Sequence, residues 1–296
     1  MREIGDIIAE FERRRGEPLA LATLVRANGS SYRRPGARML IATDRSTVGT
    51  LSGGCLEEEV AFRAQEVIVT GIPELLTFDT RLRYGCNGAI DILIEKLAPE
   101  FLRQIADAIA HRRSCIAVTD SLGTSLLPQL SVAPPEAFVQ EIHPPLQLVL
   151  VGQGPDSPAL RALAHTLGWV VHEAEEEAAF SGEFDEWTAA IVKTHNYGRD
   201  YAALRKLLPL GLRYVALLGP RRRRDQLLHA LIEENVQIRS ELFAPAGLDL
   251  GAEGPEQIAL AIVAEIQTVF AQAKAKPLRE RKQPIHAPPE RAVALV

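Results

Sequence analysis

The cysteine in the segment SGGCLEEE occupies a position that favours thiol chemistry. Cys55 follows Gly53 and Gly54 and precedes a run with helical spacing. Because the N-terminus of a helix exposes unpaired N–H groups and a partial positive charge, a thiol there is expected to be more acidic than a free one. Such a thiol binds metal or attacks sulfur more readily, and the glycines let the backbone approach a bound group closely. The alternative is a small residue that fills the packing under a turn.

A second cysteine has similar surroundings. Cys86 lies in GCNG, between glycines and before a predicted strand. It is far from Cys55 along the chain and neither belongs to a CxxC pair, so the spacing does not predict a zinc site. Cys115 lies in an apolar strand, where a core position is the simplest interpretation. Three widely spaced cysteines without secretory features predict reduced thiols and a cytoplasmic protein.

The segment GQGPDS predicts a dinucleotide-type turn. Gly152 and Gly154 follow a predicted buried strand and open a predicted helix. Pro155 has no N–H to offer, and Ser157 occupies the place of the third glycine. Glu173 lies about twenty residues after the first glycine, where an acid would bind a ribose. These residues predict the fold and leave open whether a dinucleotide binds.

Basic side chains follow two later predicted strands. His195, in THNYGRD, is either a general base or a residue that stabilises a loop. The run from Arg221 to Arg224 begins a helix, where the macrodipole disfavours cations. Such a run is either solvated or holds an anion at the strand ends, and Arg221 and Arg222 are the candidates for phosphate contact.

The elements that would position these residues fall into two domains. Residues 1–127 read as a mixed α/β domain, and residues 128–145 read as a proline-rich linker. From 146 to 273 strands and helices alternate, which predicts a parallel sheet of Rossmann-like type, with ligands at the carboxyl ends of its strands. The tail, 274–296, is rich in proline and charge and is expected to be mobile. The segments at the predicted strand ends are 152–155, 195–200 and 219–224.

Composition narrows the class of function. The 296 residues are 47% hydrophobic and carry a net charge of −5, so the basic surplus of a nucleic-acid binder is missing. No apolar run reaches membrane-spanning length, and the first residues do not read as a signal peptide. The sequence also lacks paired catalytic carboxylates, a Ser/His/Asp order, an HExxH motif and a P-loop. These absences disfavour hydrolases and NTPases.

Seven segments, in order from Leu19 to about Ala271, resemble the XdhC/CoxI family. They are NGSSYRRPGARM, SGGCLEEEV, GCNGAIDILIE, VGQGPDS, THNYGRD, LGPRRR and GLDLGAEGPEQIALAIVAEI. Proteins of this family are accessory proteins that bind the molybdenum cofactor and deliver it to xanthine dehydrogenase and related molybdenum hydroxylases. The resemblance implies an N-terminal mixed α/β domain of XdhC type followed by a Rossmann-like domain.

The resemblance gives the two glycine-flanked cysteines a role. It implies that Cys55 and Cys86 hold the molybdopterin cofactor or its molybdenum while a sulfur ligand is installed. Thiolates are soft ligands suited to such a metal, and Gly53 and Gly54 leave room for a pterin. The other candidate cofactor-binding residues are Arg33, Arg34, Gly152, Gly154, His195, Arg221 and Arg222.

The partners implied by the resemblance are a cysteine desulfurase and a molybdenum hydroxylase client such as xanthine dehydrogenase. A homo-oligomer is expected, with no nucleic-acid or membrane partner, and a cofactor-binding chaperone is favoured over a catalyst. The chain departs from the family pattern at three places. Pro155 replaces the histidine of GAGH, Asn196 replaces the acid of THDY, and the connection 81–84 before GCNG is short.

Two other functions stay open at this point. An oxidoreductase with NAD(P) or FAD in the carboxyl half would hold a bound dinucleotide and show redox turnover. An assembly scaffold with vestigial sites would bind no small ligand.

Overall fold

The structure, a computed structural model, describes residues 2–29, 31–79, 88–128, 132–175 and 183–280. Cys86, the short connection 81–84 and the tail beyond residue 280 lie outside these ranges. The chain forms two compact units, one from Glu3 to His143 and one from Pro144 to Ala275.

The first unit contains an antiparallel five-stranded sheet in the order β3-β2-β1-β5-β4. A second, antiparallel three-stranded sheet has the order β7-β6-β8. In chain order the elements are α1 (Arg2–Arg13), β1 (Leu19–Gly29), β2 (Arg38–Ala42), β3 (Thr47–Gly49), α2 (Glu57–Thr70), β4 (Glu74–Asp79), β5 (Gly88–Lys96), α3 (Pro99–Ala110), β6 (Cys115–Asp120), β7 (Gly123–Leu126) and β8 (Phe138–Ile142).

Strand β1 explains why this unit has two cores. Alternate side chains of a strand point to opposite faces of its sheet. Ala20 and Ala22 therefore pack with the inner side of α2, for example with Val60. Leu19 and Leu21 pack in the other core, which also contains buried residues of α1, α3, β6 and β8. The helix α2, which follows the SGGC segment, is thereby fixed on one face of the sheet.

The second unit is a parallel sheet in the order β10-β9-β11-β12-β13. Its strands are β9 (Gln147–Val151), β10 (Val170–Ala174), β11 (Thr188–Val192), β12 (Tyr214–Leu217) and β13 (Leu242–Phe243). Its helices are α4 (Ser157–Thr166), α5 (Tyr197–Leu207), α6 (Arg221–Glu233) and α7 (Pro255–Phe270). Short 3₁₀ turns cover Leu208–Leu210 and Leu278–Glu280.

Helices cover both faces of this parallel sheet. One core contains buried residues of α5 and α6, and the other contains buried residues of α4 and α7. Because β10 lies on one side of β9 and β11 on the other, the strand order reverses between β9 and β11. Ligands of open parallel sheets bind in the crevice at such a switch point. The predicted fold class, a mixed α/β domain followed by a Rossmann-like domain, is confirmed.

Several elements differ from the sequence-based expectation. The stretch expected to be a linker contains β8, because Phe138 to Ile142 pair with β6 and bury alternate side chains. Helix α5 begins at Tyr197, within the segment 195–200 that was expected at a strand end, because the Asn196 side chain caps the helix by accepting a hydrogen bond from Arg199 N at 3.1 Å. Over the described residues, no helix combines the length and apolarity needed to cross a membrane.

Candidate functional site

The SGGC segment forms a loop between β3 and α2 that Glu57 holds in place. The Glu57 carboxylate accepts hydrogen bonds from the backbone N–H groups of Leu51 at 3.1 Å, Ser52 at 2.8 Å and Leu56 at 3.1 Å. It also accepts a bond from the Ser52 hydroxyl at 2.7 Å. Partial burial alone would raise the pKa of Glu57, but these hydrogen bonds outweigh it and hold the pKa below its usual value.

The Ser52 hydroxyl oxygen accepts hydrogen bonds from backbone N–H groups of the same loop. The donors are Gly54 N at 3.2 Å, Cys55 N at 3.1 Å and Leu56 N at 3.3 Å. The loop backbone is therefore hydrogen-bonded to its own side chains. Glu57, the first residue of α2, is therefore a structural part of the cysteine loop.

Cys55 is exposed on this loop. Helix α2 begins at Glu57 with Leu56 as its N-cap, so the thiol precedes the first turn instead of lying in it. Gly53 and Gly54 are exposed as well, and a Cβ on Gly53 would lie 3.8 Å from the ring of Tyr32. The loop presents an accessible thiol, and the Tyr32 ring lies close to Gly53 of the same loop.

Arg33 and Arg34 lie in the loop between β1 and β2. The Arg33 guanidinium forms an ion pair with Glu3 at 2.7 Å and donates to the Thr50 hydroxyl at 2.5 Å. Thr50 directly precedes the cysteine loop, so Arg33 connects that loop to α1. The Arg34 side chain is exposed.

Of the other two cysteines, the structure describes only Cys115. Cys86 lies outside the described residues, so its relation to Cys55 is a prediction only. Cys115 begins β6 and is partly buried against the core that contains α1 and α3. Burial raises the pKa of the Cys115 thiol, and the charge of Arg38 only partly opposes this.

In the second unit the loops after β9 and β11 meet at the switch point. Gly152 has a φ of +100°, and a Cβ there would lie 2.6 Å from Thr194 Cα and 2.8 Å from the carbonyl carbon of Lys193. Only glycine fits this contact between two backbones. The two loops that the sequence predicted at strand ends are therefore in direct contact.

Sequence reasoning missed the buried centre of this contact. The Lys193 side chain is fully buried, donates to the Ser157 hydroxyl at 2.6 Å and lies 3.3 Å from the nearer carboxylate oxygen of Asp156. Asp156 is the N-cap residue of α4 and is itself buried. The sequence feature that could have revealed this pair is the lysine at the end of the apolar run AAIVK, because a buried charge needs a partner.

The loop after β11 is held by a second buried acid. Asp200 accepts hydrogen bonds from Thr194 N at 3.1 Å and from the Thr194 hydroxyl at 2.5 Å. Its other oxygen lies 2.6 Å from a guanidinium nitrogen of Arg223. His195, between these anchors, is exposed and has a φ of +57°. Its imidazole Nε2 lies 3.7 Å from the position that a Cβ on Gly154 would take.

The arginine run at the start of α6 divides into two pairs. Arg221 and Arg222 are exposed, whereas Arg223 binds Asp200 and Arg224 donates to the Ala244 carbonyl at 2.9 Å. The exposed pair is available for an anion, and the other pair stabilises the fold. Arg222 lines an open cavity of about 880 Å³ together with Tyr197, Asp225, Gln226, His229 and Ala230.

Comparison with known proteins agrees with this architecture. Residues 148–266 match the family model described as the XdhC Rossmann domain, and residues 12–79 match the model described as the XdhC and CoxI family. A Bacillus subtilis protein, named as a probable subunit of xanthine dehydrogenase, is 28% identical over 84% of this chain and 92% of its own length.

Two further similarities cover most of the chain. The protein named molybdenum cofactor insertion chaperone PaoD, from Escherichia coli, is 28% identical over 86% of this chain and 84% of its own length. A crystal structure described as a xanthine dehydrogenase from Bacillus halodurans superposes with a TM-score of 0.79 at 26% identity. That similarity covers 95% of this chain and 99% of the other.

Proposed function

Because the chain belongs to the XdhC/CoxI family, we propose that it is an accessory protein that binds the molybdenum cofactor and inserts it into xanthine dehydrogenase or a related molybdenum hydroxylase. The relationship to a named insertion chaperone over most of both chains supports the general role. The observation that carries the site is the exposed Cys55 thiol on a loop whose backbone is bonded to Ser52 and Glu57.

The thiol supplies the chemistry that such cargo needs. A thiolate is a soft ligand for molybdenum, and a loop already ordered by hydrogen bonds loses little conformational freedom when cargo binds. Gly53 and Gly54 carry no side chains that would obstruct a pterin. In this proposal Cys55 contacts the molybdenum or its oxo and sulfido ligands, and Cys86 is the second thiol.

Basic residues would hold the anionic part of the cargo. Arg33 is anchored beside the cysteine loop through Thr50, and Arg34, the next residue, is exposed. Arg221 and Arg222 are exposed at the start of α6. Arginine binds phosphate through paired hydrogen bonds, which suits the terminal phosphate of the cofactor. Gly152, Gly154 and His195 are the remaining proposed cofactor-binding residues.

The proposed partners follow from the role. A cysteine desulfurase would supply the sulfido ligand while the cofactor is held, and an apo-form molybdenum hydroxylase would receive the finished cofactor. The protein itself would bind and transfer its cargo without turning over a substrate.

Cofactor transfer to a client tests the proposal. Sulfurated cofactor loaded on the protein is mixed anaerobically with apo-xanthine dehydrogenase, and the xanthine oxidation that develops is measured. We expect faster and more complete activation than with the same amount of free cofactor, and little gain with Cys55→Ser protein. The matched control is Cys115→Ser. Equal activation with and without the wild-type protein would contradict the proposal.

A further inference from the structure

The turn after β9 has the position of a dinucleotide-binding turn but a different electrostatic character. In dinucleotide-binding folds the pyrophosphate lies at the N-terminus of the helix after the first strand, where free N–H groups and the macrodipole stabilise its charge. The corresponding helix here is α4. Pro155 contributes no N–H, and the Ser157 N–H donates to the Gly154 carbonyl at 3.1 Å.

An acid occupies the place where the phosphates would approach. The Asp156 side chain is only 4% exposed, and its Oδ1 lies 2.6 Å from the position that a Cβ on Gly154 would take. The second glycine of the fingerprint normally lets the backbone approach the pyrophosphate. The Asp156 carboxylate fills that space here, so a phosphate cannot approach the Gly154 backbone on that side.

Lys193 supplies no free positive charge that would attract a phosphate to this turn. Its ammonium is fully buried, donates to Ser157 and neutralises the Asp156 carboxylate. Because the ammonium lies beneath the turn and is already bonded, it is not available to a phosphate in the crevice. The exposed His195 ring also lies close to Gly154, since its Nε2 is 3.7 Å from the position that a Cβ on Gly154 would take.

The acid expected to bind a ribose is also engaged. Glu173 lies within β10, and its two oxygens accept hydrogen bonds from the Arg161 guanidinium at 2.9 and 3.1 Å. A ribose would have to displace this pair. Both parts of the dinucleotide fingerprint are therefore occupied by the protein's own side chains.

We infer that the second unit uses a Rossmann-type fold whose glycine turn is closed to NAD, NADP and FAD by the Asp156, Lys193 and Ser157 cluster. The oxidoreductase alternative raised by the sequence loses its cofactor site as a result. The inference does not affect the thiol contacts that the proposed function places on the cysteine loop, but it argues against Gly152 and Gly154 as contacts for a phosphate of that cofactor.

Titration and hydrogen exchange test the inference on the intact wild-type protein. NAD⁺, NADP⁺ and FAD are each titrated by calorimetry up to millimolar concentration, with a nicotinamide-dependent dehydrogenase as positive control for the reagents. Amide exchange of the peptides that cover Gly152 to Ser157 and Lys193 to Asn196 is then measured with and without each dinucleotide.

We expect no saturable binding and unchanged exchange in both peptides. Saturable binding accompanied by slower exchange in the Gly152 to Ser157 peptide would overturn the inference. Binding that leaves both peptides unchanged places the ligand elsewhere on the protein and supports the closed turn. None of these outcomes depends on retention of molybdenum cofactor, so failure of this inference and failure of the proposed function are distinguishable.

Discussion

The chemistry assigned to this protein depends on differences between individual cysteines. Cys55 is exposed on a hydrogen-bonded loop, whereas Cys115 is partly buried and its thiol pKa is raised by that burial. A thiol reacts through its thiolate, so partial burial and the raised pKa both disfavour reaction at Cys115, whereas Cys55 is accessible.

Alkylation of the native protein tests this difference. We expect iodoacetamide at neutral pH to modify Cys55 faster than Cys115, because the Cys55 thiol is exposed, whereas burial shields the Cys115 thiol and raises its pKa. Peptide mass spectrometry over time measures both rates in the same sample, and full labelling after unfolding is the control. Faster modification of Cys115 would contradict the exposure of the SGGC loop.

Glu57 is the residue that orders the cysteine loop. Its replacement in Glu57→Gln removes a charged acceptor from several backbone N–H groups, so we expect a loss of about 1 kcal/mol in the free energy of unfolding. The exposed Glu58 provides the matched control, Glu58→Gln. Urea unfolding of both variants measures the difference.

The effect of Glu57 has a defined pH dependence. Because the folded pKa of Glu57 lies below its ordinary value of 4.5, its stabilisation is fully present above that value and is lost as the pH falls through the folded pKa. The stability gap between wild type and Glu57→Gln should therefore narrow in acid. A gap that is constant with pH, or equal for both glutamine variants, would show that the carboxylate does not hold the loop.

At the scale of helices and strands, the local sequence pattern predicts individual elements but not the contacts between them. The apolar runs before Gly152 and Lys193 predicted buried parallel strands, because strands buried on both faces consist of continuous apolar residues. The Lys193 contact with Asp156 joins residues 37 positions apart. No periodicity within either segment encodes such a pair, because it forms only when the sheet order brings β9 beside β11.

Non-local contacts were also not predicted in the first unit. Residues 128–145 were read as a linker because of their prolines, whereas Phe138 to Ile142 form β8 through a non-local pairing with β6. The pattern SGGCLEEE places Glu57 near the start of a helix, whereas its hydrogen bonds reach back into the preceding loop. Side-chain contacts across a turn depend on the turn's conformation, which residue type alone does not define.

A substitution of Gly152 tests whether the loops after β9 and β11 are in contact. Gly152→Ala combines an unfavourable φ with a Cβ at 2.6 Å from Thr194, and we expect a loss of about 3 kcal/mol or more. Gly251 also has a positive φ, +68°, but open space around it, so Gly251→Ala should cost about 1 kcal/mol. Denaturant unfolding compares the two. Similar losses for both variants would mean that the two loops are not in contact.

The buried Lys193–Asp156 pair is tested by a double-mutant cycle. Asp156→Leu and Lys193→Met each leave one buried charge without its partner, which we expect to cost about 3–5 kcal/mol, and the double variant Lys193→Met with Asp156→Leu should recover much of that loss. The control is the Arg161–Glu173 pair, whose side chains are 45% and 36% exposed and should couple by less than about 1 kcal/mol. Equal coupling in the two cycles would contradict the burial of Lys193.

At the scale of the whole molecule, each unit has its own task in this account. The first unit supplies an ordered loop with an exposed thiol, and the second supplies a parallel-sheet fold whose glycine turn is packed against the Asp156–Lys193 pair. Family membership alone would not separate these roles, since Rossmann-type domains are common in redox enzymes. The side-chain contacts at the turn support our inference that no dinucleotide binds there, and our proposal therefore places the chemistry on the thiol.

The central claim is that the Cys55 loop holds the molybdenum cofactor, and its most direct test is retention of that cofactor. Wild-type, Cys55→Ser and Cys115→Ser proteins are incubated anaerobically with isolated cofactor and desalted, and molybdenum and pterin are then quantified per chain. We expect stoichiometric retention by wild type and Cys115→Ser and a large loss for Cys55→Ser with an unchanged unfolding transition. Equal retention by wild type and Cys55→Ser would contradict the account.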